Sequence, residues 1–369
     1  MGKECVGEQN ALITVIIPVY NCAAYLAEAI DSVLQQPYKA IQIVLVNDGS
    51  TDGSGDICDR YVKLHDRVYV IHQKNSGVSA ARNAGIEFAL ARNAGDSPNG
   101  YVAFLDADDV WAIGFADNSL RDILLKGYDT VGFQSCICSE DMQRHGDIVE
   151  MTAGIFCGGN DANKYHPYHL GAMLYACHLL QKFDIRFITG LKYTEDRIFK
   201  IQSLYLSETI SLHKKMMYLY RMRKTSAVHV RLSGIPYYIP IIEGYIQCDQ
   251  IVNQYTLRSD ELTVGRRAAS WYVTDMVLEH YRNFGSKREL HSFLKEKPEW
   301  MALVRGETDL GAKTKDGRYD RFMARENRQI LKSYIWGVGY KVARMIKYLP
   351  IVSSIVDKQR FPYSNDQFC

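Results

Sequence analysis

The first 105 residues alternate short β-branched apolar runs with longer amphipathic stretches, and this alternation constrains the fold more than any other feature. Continuous apolar runs read as strands buried on both faces, and helical stretches between them read as crossovers in a parallel sheet. The spacing predicts strands over 11–17, 41–46, 67–71 and 101–105, with helices over 22–35, 53–64 and 76–92 between them. Each strand runs into a polar cluster: Pro18-Val-Tyr-Asn21, then 47–52, then 73–77, then Asp106-Ala-Asp-Asp109. Ligands bind at the C-terminal strand edge of an open parallel sheet, so the four clusters are expected to face one crevice.

The rest of the chain has other textures. Residues 112–226 look mixed, with a helix over 115–126, strands over 130–135 and 148–152, and a helix over 166–183. From 228 onward the periodicity turns helical, over 235–255, 261–284 and 288–294, and ends in a basic tail. This predicts an α/β domain over 1–228 and a mainly helical C-terminal region over 229–369.

Charge and cysteine usage exclude several classes. Among 369 residues, 44 Lys plus Arg face 42 Asp plus Glu, which argues against a chain-wide basic surface for nucleic acid. The balance is a cancellation: residues 1–111 hold 8 basic and 14 acidic residues, and residues 229–369 hold 22 and 16. Nine cysteines show neither zinc-type CxxC pairs nor the density of a disulfide scaffold. With no leader-like N-terminus and no apolar run of membrane-spanning length, the sequence predicts a cytoplasmic protein.

Asp106, Asp108 and Asp109 crowd three carboxylates directly after a buried strand. Their repulsion is relieved by a hard divalent cation such as Mg²⁺ or Mn²⁺, or the segment is simply a solvated acidic turn that caps a helix. Asp48 is placed to accept a pyrimidine N3–H or to close an Asx-turn, with Gly49 allowing the chain to reverse. Tyr20, presented by Pro18, has a ring that can stack on a base or pack as ordinary core. Arg82 suits a base carbonyl or phosphate, or an ion pair with a nearby acid. Two phosphate-binding patterns fail: residues 306–314 have one residue too many for a P-loop, and Gly337-Val-Gly339 lacks the third glycine of a dinucleotide fingerprint.

Four ordered motifs carry a family resemblance: Thr14-Val-Ile-Ile-Pro-Val-Tyr-Asn21, Val46-Asn-Asp-Gly-Ser-Thr-Asp52, Asn75-Ser-Gly-Val-Ser-Ala-Ala-Arg-Asn83 and Phe104-Leu-Asp-Ala-Asp-Asp109. Together they resemble the GT-A glycosyltransferases of family 2. The resemblance continues through Asp184-Ile-Arg-Phe187, Thr194-Glu-Asp-Arg-Ile-Phe199 and Tyr218-Leu-Tyr-Arg-Met-Arg-Lys-Thr-Ser226. It implies a GT-A fold, a Rossmann-like, mostly parallel sheet flanked by helices. It also implies an inverting, metal-dependent transfer of a hexosyl or N-acetylhexosaminyl group from a nucleotide diphosphate donor, usually a uridine one. The acceptor would be a hydroxyl of a saccharide or lipid-linked molecule in cell-surface glycan synthesis.

Carried over by position, Pro18, Tyr20, Asp48 and Arg82 would hold the nucleoside, and Asp106 and Asp108 the ribose and the metal–diphosphate. Asp196 would be the general base, with Glu195 orienting it or bonding the donor sugar; the other reading of this pair is a plain helix N-cap. Arg221 or Arg223 would neutralise the departing diphosphate. A non-catalytic nucleotide-sugar-binding or assembly subunit is the alternative from another class, and the intact acids at 106, 108, 195 and 196 favour the enzyme.

The tail over 321–360 has nine basic residues against Glu326 and Asp357, with Lys341, Arg344 and Lys347 at helical spacing. That pattern fits an interfacial helix on an anionic membrane, which would make the protein peripheral on the inner face. It equally fits a helix packed on its own domain or on a second subunit.

Overall fold

A computed structural model of the protein describes residues 10–96, 100–143, 145–149, 153–157, 169–191, 193–223, 235–255 and 296–297. The chain divides into two compact units, Met1–Ala269 and Ser270–Cys369, and every element below belongs to the first. The expected helices over 261–284 and 288–294, and the basic tail over 321–360, lie outside the described residues.

The N-terminal half follows the expected alternation: β1 Ile13–Val19, α1 Ala23–Leu34, β2 Ile41–Asn47, α2 Ser54–Leu64, β3 Val68–His72, α3 Val78–Asp96 and β4 Tyr101–Phe104. The four strands are parallel in the order β3-β2-β1-β4. All of β2 is buried, and so is β1 apart from a half-buried Pro18, as continuous apolar runs require of strands covered on both faces. The chain leaves β1 for β2 and β3 on one side and returns to β4 on the other. This reversal opens a crevice at the C-terminal ends of β1 and β4. Pro18 is tolerated in this central strand because the β4 ladder ends at the Ile16–Phe104 pair, before an N–H would be needed at Pro18.

Beyond β4 come β5 Val110–Trp111, α4 Asn118–Leu124, β6 Thr130–Cys138, β7 His145–Val149 and β8 Gly154–Cys157. Then follow β9 Met173–Ala176, α5 Cys177–Lys182, α6 Glu195–Leu206, β10 Thr209–Arg221 and α7 Ile235–Tyr255. They extend the sheet to β3-β2-β1-β4-β9-β6-β10-β5, with β9 antiparallel to both neighbours and β6 parallel to β10. The sheet is therefore parallel on its N-terminal side and mixed on the other. Asp117 caps α4 by accepting from the amides of Ser119 and Leu120 at 2.9 and 3.3 Å.

Of the helix expected over 166–183, residues 166–168 lie outside the described residues and the rest does not form one helix. A 3-10 turn Leu170–Ala172 leads into the buried strand β9, and only α5 is α-helical. A short apolar run fits a buried helix or a buried strand equally well, and here the gap between β4 and β6 decides. Gly171 is required at that turn, because a Cβ would lie 2.0 Å from the Tyr218 ring. Behind β4, the rings of Phe104, Tyr175, Phe187 and Phe199 form one cluster, with Phe187 stacked on Phe199 at 4.1 Å. Cys22, Cys58, Cys136, Cys138, Cys177 and Cys248 are free thiols. No helix among the described residues is long and apolar enough to cross a membrane.

Candidate active site

The loops after β1 and β2 are stitched together by short polar side chains. Asn21 accepts from the Thr51 amide at 2.8 Å, and Asp52 accepts from the Ala23 amide at 3.0 Å and the Ser54 hydroxyl at 2.6 Å. Burial alone would raise the Asp52 carboxyl, but these hydrogen bonds hold it below its ordinary range. Asp48 is buried and accepts from Gln73 Nε2 and the Ser76 amide at 2.8 Å each and from the Gly77 amide at 2.9 Å. It thus ties the β2 edge to the start of α3. Gly49 has φ +74°, and a Cβ there would meet the Asn75 amide at 2.9 Å, so both conformation and space demand glycine. Tyr20 stands 51% exposed at the same edge.

The acid turn after β4 is held from behind. Asp109, buried, accepts from the Tyr218 hydroxyl at 2.5 Å and from the Arg221 amide at 2.7 Å. Burial, then the charges of Asp106 and Asp108, push its carboxyl well above the usual range. The buried Arg221 donates from Nε to the Asp108 carbonyl at 2.7 Å, from Nη1 to the Glu140 carbonyl at 2.5 Å and from Nη2 to Glu28 at 2.6 Å. Its guanidinium also lies over the Tyr25 ring. Arg223 pairs with Asp108 Oδ2 at 2.7 Å. Burial and then the charge of Asp106 raise the Asp108 carboxyl, against the pull of Arg223.

The third part comes from α3 and α6. Arg82 is buried, donating from Nη2 to Asp106 Oδ1 at 2.8 Å and from Nη1 to Glu195 Oε1 at 3.1 Å. Its flat face lies over Phe187, 5.2 Å from the ring centroid. The next residue, Asn83, fixes Phe187 by both main-chain groups, accepting from its amide at 2.8 Å and donating to its carbonyl at 2.9 Å. Two adjacent residues of α3 thus set both the guanidinium and the ring beneath it.

Glu195 and Asp196 occupy the first turn of α6, where the helix N-terminus favours anions. Burial raises the Glu195 carboxyl against the pull of Arg82. Burial would also raise Asp196, but Lys200, 3.8 Å away, together with Arg82 holds it below its ordinary value. Burial holds the His169 imidazole down at about 4, against the attraction of Asp106. Its Nδ1 accepts from the Gly171 amide at 3.2 Å and its ring stacks on Tyr218 at 4.3 Å.

The structure brings Arg82, Asp106, Glu195 and Asp196 into one site, and Asp108 with Arg223 beside them. Arg82, expected at the nucleoside, has its guanidinium on the two carboxylates. Arg221, expected at the diphosphate, has all three guanidinium nitrogens engaged by protein acceptors. Asp109 belongs to the site, as its place in the acid run suggests; His169, Lys200 and Tyr218 belong to it too but were not singled out from the sequence as site residues. Of these last three, only Lys200 had a local signal, its i, i+4 spacing from Asp196.

Among the described residues, one group can place three metal-ligating atoms within 4.8 Å of one another: Asp106, Asp109 and His169. Asp109 is committed to Tyr218 and Arg221, whereas a third of the Asp106 side chain is open. Carboxylates that raise one another's proton affinity suit a hard divalent cation, and oxygen donors select Mg²⁺ or Mn²⁺. The acid turn therefore fits such an ion.

A sheet that is parallel on its N-terminal side, with an acid turn at its switch point, defines an α/β domain with a crevice at the strand ends. Residues 14–168 match the family model "Glycosyl transferase family 2". The chain is 34% identical over 230 residues to the glycosyltransferase GlyA of Streptococcus pneumoniae, covering 59% of this chain and 32% of that protein. It is 41% identical over 101 residues to a putative teichuronic acid biosynthesis glycosyltransferase, TuaG, of Bacillus subtilis, covering 27% of this chain and 37% of that protein. The matched segments thus span about a third of each relative. The crystal structure of S. aureus TarS 1–349 with UDP-GlcNAc superimposes with a TM-score of 0.55 at 19% identity, covering 80% of both chains. Residues 14–168 are a family 2 glycosyltransferase domain, and the fold is GT-A.

Proposed function

We propose that the chain transfers a sugar, with inversion, from a nucleotide diphosphate donor to a hydroxyl of a saccharide or lipid-linked acceptor in cell-surface glycan synthesis. The observation that carries this reading is Arg82, which joins Asp106 on the acid turn to Glu195 beside Asp196. Donor-side and acceptor-side carboxylates are thereby parts of one site. A uridine donor is supported by the UDP-GlcNAc bound to TarS, and the cell-surface setting by the description of TuaG.

In this reading Pro18, Tyr20 and Asp48 line the nucleoside end, and Asp106 and Asp108 would hold a divalent cation, which would supply positive charge to the departing diphosphate. Arg223, a quarter exposed and already beside Asp108, meets the diphosphate, while Arg221 keeps the acid turn in shape. Asp196, the carboxylate of the pair with the lowered proton affinity, stays ionised and takes the acceptor's proton. A single displacement needs this base and no protein nucleophile. The catalytic part is assigned to residues 1–228, within the first compact unit, Met1–Ala269.

The test is release of nucleotide diphosphate from a panel of sugar donors with Mn²⁺ or Mg²⁺ and a membrane-extract acceptor. Turnover of one uridine donor is expected. Donor binding without turnover of any donor would replace the enzyme with a nucleotide-sugar-binding subunit.

A further inference from the structure

Arg82 and Glu195 are 113 residues apart in sequence, yet their charged groups are 3.1 Å apart and little exposed, at 6% and 14% of the side chain. The same guanidinium holds Asp106 at 2.8 Å. A buried fork that grips two carboxylates has its orientation fixed by both, so loosening either one frees the other. Its remaining freedom is removed by Phe187 against its face, and Phe187 is itself clamped by Asn83 and stacked on Phe199 of α6. The helix bearing Glu195 and Asp196 is therefore locked to the acid turn twice, through an ion pair and through a ring stack.

We infer that Glu195 is a positioning residue that acts through Arg82 on Asp106, so that nucleotide–metal binding and the placement of Asp196 are linked. Glu195 then does not bond the donor sugar; it sets the second anchor of the guanidinium. The linkage is reciprocal: whatever ligand fixes Asp106 also steadies the first turn of α6. This inference rests on the proposed reading: absence of UDP–Mn²⁺ binding in the parent would sink that reading, whereas binding in the parent leaves the variants to test the linkage.

The experiment measures UDP affinity in the presence of Mn²⁺, together with kcat for transfer, on Glu195→Gln, Glu195→Ala, Arg82→Lys and the double variant Arg82→Lys/Glu195→Ala. Gln retains an acceptor for Arg82, so Glu195→Gln is expected to bind within a few-fold of the parent. Glu195→Ala is expected to weaken UDP–Mn²⁺ binding about tenfold as well as lowering kcat. Arg82→Lys loses the fork and is expected to weaken binding at least as much; the double variant should be no worse than the more affected single variant.

Parent-like UDP–Mn²⁺ affinity in Glu195→Ala, with only kcat reduced, would overturn the inference and return Glu195 to the substrate. Additive losses in the double variant would overturn it too. If Arg82→Lys does not fold, the Gln and Ala variants of Glu195 decide alone, since Glu195 sits at a helix start rather than in the core. Asp196→Ala separates the two readings: normal transfer in that variant removes the base assignment while leaving the linkage test in binding intact.

Discussion

The two sides of the crevice are built by different means. On the β1–β2 side, Asn21, Asp48 and Asp52 act on backbone amides within about thirty residues and make loops of defined shape. On the acid-turn side, Arg82, Arg221 and Arg223 act on carboxylates and carbonyls from elements as far as 193 residues away. The first side is a mould formed by local chain geometry. The second is a charge network that exists only after the sheet is complete, so perturbing one member should move several.

The largest effect should come from removing what balances the network's acids. Chelation with EDTA is expected to lower transfer by about a thousandfold, with recovery on adding Mn²⁺ or Mg²⁺. Retained transfer would mean that Asp106 and Asp108 need no cation.

Arg221→Met should come next. It leaves the Asp108 and Glu140 carbonyls and the Glu28 carboxylate without their shared donor and is expected to cost about 2 kcal/mol in denaturant unfolding. A loss under about 0.5 kcal/mol would show that the acid turn holds its own shape.

Gly49→Ala probes the mould. The left-handed backbone and the close Asn75 amide predict about 1–2 kcal/mol of destabilisation, read as weaker nucleotide binding with kcat nearly kept. A kcat defect at unchanged affinity would break the division between the two sides.

A shallower effect is expected from His169. Burial holds its folded-state value at about 4, against an ordinary 6.5, so between those values the unfolded chain binds more protons. Stability should therefore fall as pH drops from 6.5 toward 4, and His169→Gln should flatten that part of the profile. Parallel profiles for the two proteins would show that the imidazole contributes nothing there.

The same division explains what could be read from sequence. The strands and helices of the first hundred residues announce themselves through continuous apolar runs and glycine–acid punctuation, and they formed within a few residues of the expected bounds. The run around Met173 carried no such punctuation, so its strand identity depended on the gap between β4 and β6. Asp106, Asp108, Glu195 and Asp196 were visible as acids beside an apolar strand or helix. The partners of Arg82 were not, because nothing local in Ala81-Arg82-Asn83 specifies an acid 113 residues away. Arg221 likewise looked like a ligand-facing base until three acceptors were seen around its guanidinium.

The most direct test measures UDP binding and sugar transfer on the same preparations of Asp108→Ala and Asp196→Ala, with and without Mn²⁺. The account predicts that Asp108→Ala loses metal-dependent binding and transfer together, while Asp196→Ala binds like the parent and loses transfer by about a thousandfold. Normal transfer by Asp196→Ala, or metal-dependent binding that survives in Asp108→Ala, would contradict it.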